Sequence, residues 1–247
     1  RRQLQMLAPL VSYAIARSEY NAAELTANGF ARTAVVPVLV EGGNLEQSPD
    51  PVWRERLGRA RSRGGADWLF VGQIAPHKAQ HDVVKAFTCY RRVYDTSARL
   101  HLVGREMGST YIDALRRFAV ALGVEDAISL PGSVSVDALV AHYETADVFV
   151  CLSDHEGFCA PIIEAMSRGV PVVAYAAAAV PETVGEAGAL LPDKSPAFVA
   201  SVVRELLADT SARASLVAAG RRRAARYAPP VASAAFCRAI ESALAVP

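Results

Sequence analysis

The chain has 247 residues, 52% of them apolar, enough for one large domain or one domain with part of another. Lysine and arginine number 26 against 25 aspartates and glutamates, so no bulk charge marks a nucleic-acid or acidic partner. The four cysteines (Cys89, Cys151, Cys159, Cys237) show neither C-x-x-C spacing nor a framework pattern, which fits reduced thiols in a cytosolic protein better than a stapled secreted one.

In chain order, QLQMLAPLVSYAIARSEYNAAELTANGF has helical apolar spacing up to Gly29, and TAVVPVLVE reads as a short valine-rich strand. Residues 42–65 mix glycine, proline and charge; they read as a connector with a turn or two of helix around Trp53 to Ala60. Six short apolar runs follow: DWLFVG, RLHLVG, AISLPG, ADVFVCLS, VPVVAYA and AGALLP. Helical patterns lie between them: QHDVVKAFTCYRRVY, STYIDALRRFAVALG, SVDALVAHYETA and the segment around Glu164. The alternation predicts an α/β fold, a Rossmann-like parallel sheet with helices on both faces. Its ligand crevice should lie at the carboxyl ends of the strands. Three helical stretches close the chain, SPAFVASVVRELLAD, SARASLVAAGRRRAARYA and VASAAFCRAIESALA; the arginines 221–223 with Arg226 read as a solvated helix face.

The strand-ending GREMG lacks the G-x-G-x-x-G fingerprint, which disfavours a hydride-transferring dinucleotide enzyme. The most apolar run, VPVVAYAAAAV, is far short of the ~18 residues of a membrane span and carries a proline. No secretory leader is visible, and the chain does not open with methionine, as expected of a piece of a longer protein. The expected location is cytoplasmic, with peripheral association at the inner face of the membrane compatible with it.

Chemistry concentrates in HEGFCAPIIEAM, where Glu156 and Glu164 stand eight positions apart. In one continuous helix they would be offset by roughly 80° and share no face. Pro161 suits a first helical turn, which places Glu156 in the loop after a strand and Glu164 about a turn into the helix. The loop amides of Gly157 and Phe158, with the helix dipole, make an anion site, and glycine at 157 permits close backbone approach. Two hydroxyl-binding carboxylates beside it would suit a nucleotide-sugar. The competing reading pairs Glu164 with Arg168 at i,i+4 and leaves Glu156 facing water. His77 and His81, four apart, could share a helix face as metal pairs do, but no third ligand has a supporting spacing. No metal site is expected, and His155 has no firm role.

The E-x7-E pattern at Glu156 and Glu164 resembles the signature of the retaining glycosyltransferases of family 4, whose GT-B fold has two Rossmann-like domains. FVGQIAPHKAQHDVVKAF, LHLVG, the run from ALGVEDAISLPG to CLSDHEGF, GVPVVAY and VPETVGEAGALL follow that family's order, over roughly Asp67 to Leu207. SEYNAAEL and VVPVLVE resemble the end of its first domain. The resemblance implies residues 1–46 as the end of an acceptor-side domain, 47–65 as linker, 66–229 as the nucleotide-sugar-binding domain of a GT-B fold, and 230–247 as a helix packing back on the first domain. It implies Glu156 at the hydroxyls of the transferred sugar, Glu164 at the ribose, and Lys78 on the diphosphate. Gly72, Gln73, Gly157, Phe158 and Cys159 would complete the donor site.

No cofactor is implied beyond the nucleoside diphosphate sugar itself. The acceptor would be a saccharide or a lipid-linked glycan, reached with the help of the missing first domain. The sequence departs from the pattern at Gln73, where an arginine is usual, at Ala79, and at Ala178-Ala179, where glycines are common. Glu182 is a weaker candidate for the site, with a competing reading as a helix-start carboxylate that only caps. The implied activity is retaining hexosyl transfer, with this chain alone inactive. A nucleotide-sugar epimerase or hydrolase, or a non-catalytic nucleotide-sugar module, remain as alternatives.

Overall fold

Trp68 and Phe70 of strand Asp67–Val71 join one apolar cluster while Leu69 between them joins another, so this strand is buried on both faces. In the computed structural model, which describes residues 2–38 and 47–245, it is the centre of a six-stranded sheet. The strands are β3 (Asp67–Val71), β4 (Arg99–Val103), β5 (Ile128–Gly132), β6 (Val148–Cys151), β7 (Val172–Tyr175) and β8 (Ala189–Leu191). Their order is β5-β4-β3-β6-β7-β8 and every pairing is parallel. The sheet grows outward from β3 in one direction and then from β6 in the other, which opens a crevice beyond the tips of these two strands.

Parallel neighbours need crossovers, and the helices provide them on both sides. Helices α4 (Gln80–Val93), α5 (Ser109–Ala121) and α9 (Pro196–Ala208) bury Phe87, Leu115 and Val203 in the Trp68 cluster. On the opposite face α6 (Val136–Thr145), α7 (Ala160–Ser167) and α8 (Val180–Val184) bury Tyr143, Ile162 and Val180 with Leu69. The chain ends in α10 (Thr210–Ala225) and α11 (Pro229–Leu244). The fold is therefore the Rossmann-like α/β arrangement that strand and helix alternation predicts.

At the other ends of the central strands, acids hold the sheet in register. Asp67 accepts from Arg99 Nε at 2.7 Å and from His101 Nε2 at 3.2 Å, and Asp147 accepts from the Asp67 amide at 2.9 Å. Burial works to raise the Asp67 carboxyl, but the His101 and Arg99 hydrogen bonds outweigh it and hold it below its usual value.

Two sequence expectations need correction. The first segment is not one helix: α1 (Arg2–Leu7) runs into a short 3-10 turn holding Pro9, then β1 (Ala14–Ala16), then α2 (Glu19–Ala27). Pro9 breaks the helical run, and β1 pairs in parallel with β2 (Thr33–Val35), a tertiary contact that local spacing does not record. The predicted strand ends early at Val35; its last three residues, Leu39 to Glu41, lie outside the described residues. The connector, for its part, contains a full helix, α3 (Pro51–Arg61). Asp50 caps it by accepting from Trp53 N at 2.8 Å, Trp53 packs on His142 with ring centroids 4.9 Å apart, and Arg61 bonds Asp147 at 2.8 Å.

Candidate functional site

Beyond β3 the chain turns at Gly72, whose φ of 154° suits glycine, and passes the carbonyl of Gly72 so near Gly104 that a Cβ there would lie 1.9 Å from it. No side chain fits at Gly104, so the β3 and β4 tips pack backbone to backbone. The following 3-10 turn Pro76–Lys78 carries Lys78 toward the neighbouring tip of β6. There Lys78 Nζ donates to both carboxylate oxygens of Glu156 at 2.7 Å. Glu156 is only 5% exposed, so the alternative in which it merely faces water is excluded. The two tips are also joined by Asp154 N donating to the His77 carbonyl at 2.9 Å.

Gly157, Phe158 and Cys159 lead from Glu156 into α7, and their amides find no protein acceptor among the described residues. They sit at the positive end of a helix beside a lysine, a setting that favours an anion. A cavity of about 430 Å³ opens here; Gly72, Gln73, Lys78, Glu156, Gly157, Phe158 and Cys159 all line it. Its far wall comes from the first segment, at Arg17, Asn21 and Val38. A Cβ on Gly157 would stand 3.0 Å from Asn21 Oδ1, so this loop and the first segment touch closely.

Glu164 does not line that cavity. It lies one turn deeper in α7, half-buried, and accepts a hydrogen bond from the Tyr143 hydroxyl at 2.7 Å. Burial raises its carboxyl above the usual value, with the Tyr143 bond pulling the other way. The Arg168 pairing is not formed; Arg168 instead approaches Glu144 at 3.8 Å and the Gln47 carbonyl at 3.2 Å.

Two of the positions where the sequence departs from the glycine-rich pattern, Ala79 and Ala178, hold left-handed backbone, and so does Cys159. Ala79, Cys159 and Ala178 all have positive φ, at 50°, 68° and 50°. Each stands at or just before the start of a helix bordering the site, and a glycine would adopt that conformation without strain. His77 and His81 do not share a helix face: left-handed Ala79 separates the 3-10 turn from α4, and His81 Nδ1 meets the Tyr111 hydroxyl at 3.1 Å. Metal-ligand atoms of Cys151, Glu156 and Cys159 do lie within 4.8 Å of one another. Glu156 already accepts twice from Lys78, however, so its carboxylate is committed to that ion pair.

Sequence reasoning missed two participants, Tyr143 and Arg17, and misplaced the role of Glu182. Tyr143 is the partner of Glu164, with only a tyrosine inside an amphipathic helix as its signal. Arg17 belongs to no motif. Glu182 does cap a helix, but not its own: its carboxylate accepts from the amides of Glu19 at 2.9 Å and Tyr20 at 3.3 Å, at the start of α2. Arg223, expected in a solvated face, instead donates to the carbonyls of Glu182 and Thr183 and stacks on Tyr227.

An all-parallel sheet with this switch point places the cavity where open α/β folds bind their ligands. Residues 57–223 match the family Glycosyl transferases group 1, and the chain belongs to it. Among known proteins, it is 35% identical over 207 residues to the GDP-mannose-dependent alpha-(1-6)-phosphatidylinositol monomannoside mannosyltransferase of Mycobacterium tuberculosis (strain ATCC 25618 / H37Rv), covering 79% of this chain and 52% of that protein. It is also 35% identical over 202 residues to the D-inositol 3-phosphate glycosyltransferase of Geodermatophilus obscurus, covering 78% and 43%. The chain thus spans about half the length of the curated relatives it matches. Anabaena Alr3699/HepE, solved with UDP and glucose, superposes with a TM-score of 0.84 at 20% identity, over 98% of this chain and 66% of that one. The sucrose-phosphate synthase (tll1590) of Thermosynechococcus elongatus gives 0.81 at 22% identity, over 99% and 62%.

Proposed function

We propose that this chain is the donor-binding half of a retaining glycosyltransferase, joined to the last elements of its acceptor-binding half. The full enzyme moves a hexose from a nucleoside diphosphate sugar to a hydroxyl of a saccharide or lipid-linked acceptor. The observation that carries this reading is the Lys78–Glu156 pair set beside the free amides of residues 157–159 at the β3–β6 switch point. Lys78 and the amides take the diphosphate, and Glu156 takes hydroxyls of the sugar next to it. Glu164, held by Tyr143, receives the ribose. GDP-mannose is the first donor to try, because it is named for the mycobacterial relative.

In the reaction, the acceptor oxygen bonds to the anomeric carbon on the face from which the diphosphate departs. The departing phosphate oxygen takes the acceptor proton, and Lys78 with the helix start stabilises the charge that grows there. No metal or organic cofactor enters this reading. Residues 66–229 form the donor domain in it, residues 1–46 close an acceptor-side domain, and the helix in 230–247 packs back toward the first segment, where Arg32 already donates to the Ser242 carbonyl at 3.4 Å. No helix among the described residues is long and apolar enough to cross a membrane.

Calorimetric titration of GDP-, UDP- and ADP-sugars into this chain and its Glu164→Ala variant tests the proposal. One donor should bind, and loss of the ribose carboxylate should cost about 1.5–3 kcal/mol, the range for a charged hydrogen bond. Equal binding by parent and variant would remove Glu164 from the site, and no binding by the parent would remove the function.

A further inference from the structure

The cavity at the switch point is bounded by two full cations, Lys78 and Arg17, and one carboxylate, Glu156. Lys78 already gives hydrogen bonds to both Glu156 oxygens, so that wall is neutral as a unit. Gln73 beside it contributes an amide without charge. A diphosphate brings at least two negative charges, and its charge rises as it leaves the sugar. Neutral amides and one shared lysine leave that charge under-compensated.

Arg17 stands across the cavity, between β1 and α2. Its Nη2 lies 3.1 Å and its Cζ 3.6 Å from where a Cβ of Gly157 would be, so the guanidinium rests against the Gly157 backbone. It is exposed to solvent and forms no ion pair or side-chain hydrogen bond with any described residue. The segment that presents it is anchored on both sides. Ser18 Oγ accepts from Asn21 N at 3.1 Å, and Glu182 of the donor half holds the Glu19 and Tyr20 amides. An unpaired, planar, five-donor cation is thereby fixed within reach of the same amides that invite an anion.

We propose that Arg17 is the second phosphate-binding cation of this site, supplied across the cleft from the first segment to the diphosphate of the donor. This inference rests on reading the cavity as a nucleoside diphosphate site. Two consequences follow from the placement. The diphosphate bridges the first segment and the donor half, and only glycine at 157 leaves room for the guanidinium.

The test compares the parent chain with Arg17→Gln and Arg17→Lys, titrating GDP and UDP by calorimetry and guanosine and uridine by ligand-observed NMR. Arg17→Gln should weaken the diphosphate that the parent binds about tenfold, the scale of one charge-assisted hydrogen bond, and leave the matching nucleoside unchanged. Arg17→Lys should recover part of the loss. Diphosphate affinity within twofold of the parent in Arg17→Gln, or an equal loss for the nucleoside, overturns the role of Arg17 while the nucleotide site stands. A parent that binds neither GDP nor UDP overturns the site itself and this inference with it.

Discussion

Lys78 and Glu156 are 78 residues apart in sequence, yet the lysine donates to both oxygens of the glutamate at 2.7 Å, with the two side chains 18% and 6% exposed. Such a pair is costly to strip of water, and removing one partner leaves the other charge stranded. Its two halves are assigned different work here, so they can be separated by mutation.

Glu156→Gln frees Lys78 from its counter-charge. Nucleoside diphosphate affinity should hold or rise, while transfer by the full-length enzyme should fall by about a hundredfold, the scale of one lost transition-state contact. Lys78→Ala should lose about tenfold in diphosphate affinity as well as transfer. Calorimetry beside a transfer assay distinguishes the two; parallel losses of affinity in both variants would contradict the division of labour.

Glu164 is a half-buried carboxylate held by a single tyrosine hydroxyl. Because burial raises its folded-state value above that of an unfolded glutamate, ionising it costs stability as pH climbs through the folded value. Glu164→Gln should therefore be more stable than the parent at neutral pH, by about 2–4 °C in Tm for each kcal/mol recovered, and the gain should vanish below about pH 4. The same variant should bind nucleotide more weakly. Thermal melts at several pH values check the sign.

His142 gives the opposite pH dependence. It is buried under Trp53 and beside His101, donates from Nδ1 to the Ala138 carbonyl at 2.8 Å, and is pulled from 6.5 down to about 4, chiefly by burial. A lowered histidine binds its proton in the unfolded chain first, so stability is full above about pH 6.5 and drains as pH falls toward 4. The loss should reach about 3 kcal/mol. Urea unfolding between pH 7 and 4 should show this slope in the parent and a flatter one in His142→Leu.

Ala178 holds a φ of 50° just ahead of α8, where an alanine is strained and a glycine is not. Ala178→Gly should stabilise the chain by about 0.5–1 kcal/mol, the relief exceeding the extra chain entropy glycine brings to the unfolded state. Denaturant midpoints will show it, and a destabilised variant would mean that the methyl group's packing outweighs the strain.

Much of the six-stranded sheet and its helices was legible because its signals are local. DWLFV, RLHLV and VFVC are apolar runs of strand length, and Pro161 marks a helix start wherever it folds. What stayed hidden depends on partners far away in sequence. The β1 strand is three residues of AIA, which acquire a ladder only by meeting Thr33 to Val35. Helix α3 carries four arginines and a glycine, and its stability comes from the Asp50 cap, the His142 ring and Asp147 rather than from its own pattern. Glu182 reads as an acid at a helix start, but its contact with Glu19 spans 163 residues. Arg17 falls in the same class: nothing beside it in sequence announces a phosphate.

The most direct measurement is a crystal structure of this chain with saturating GDP or UDP. The account predicts a diphosphate lying over the amides of Gly157 and Phe158, with one oxygen on Lys78 Nζ, one on the Arg17 guanidinium, and the ribose turned toward Glu164. Nucleotide seated elsewhere, with Lys78 still bonded only to Glu156, would contradict it.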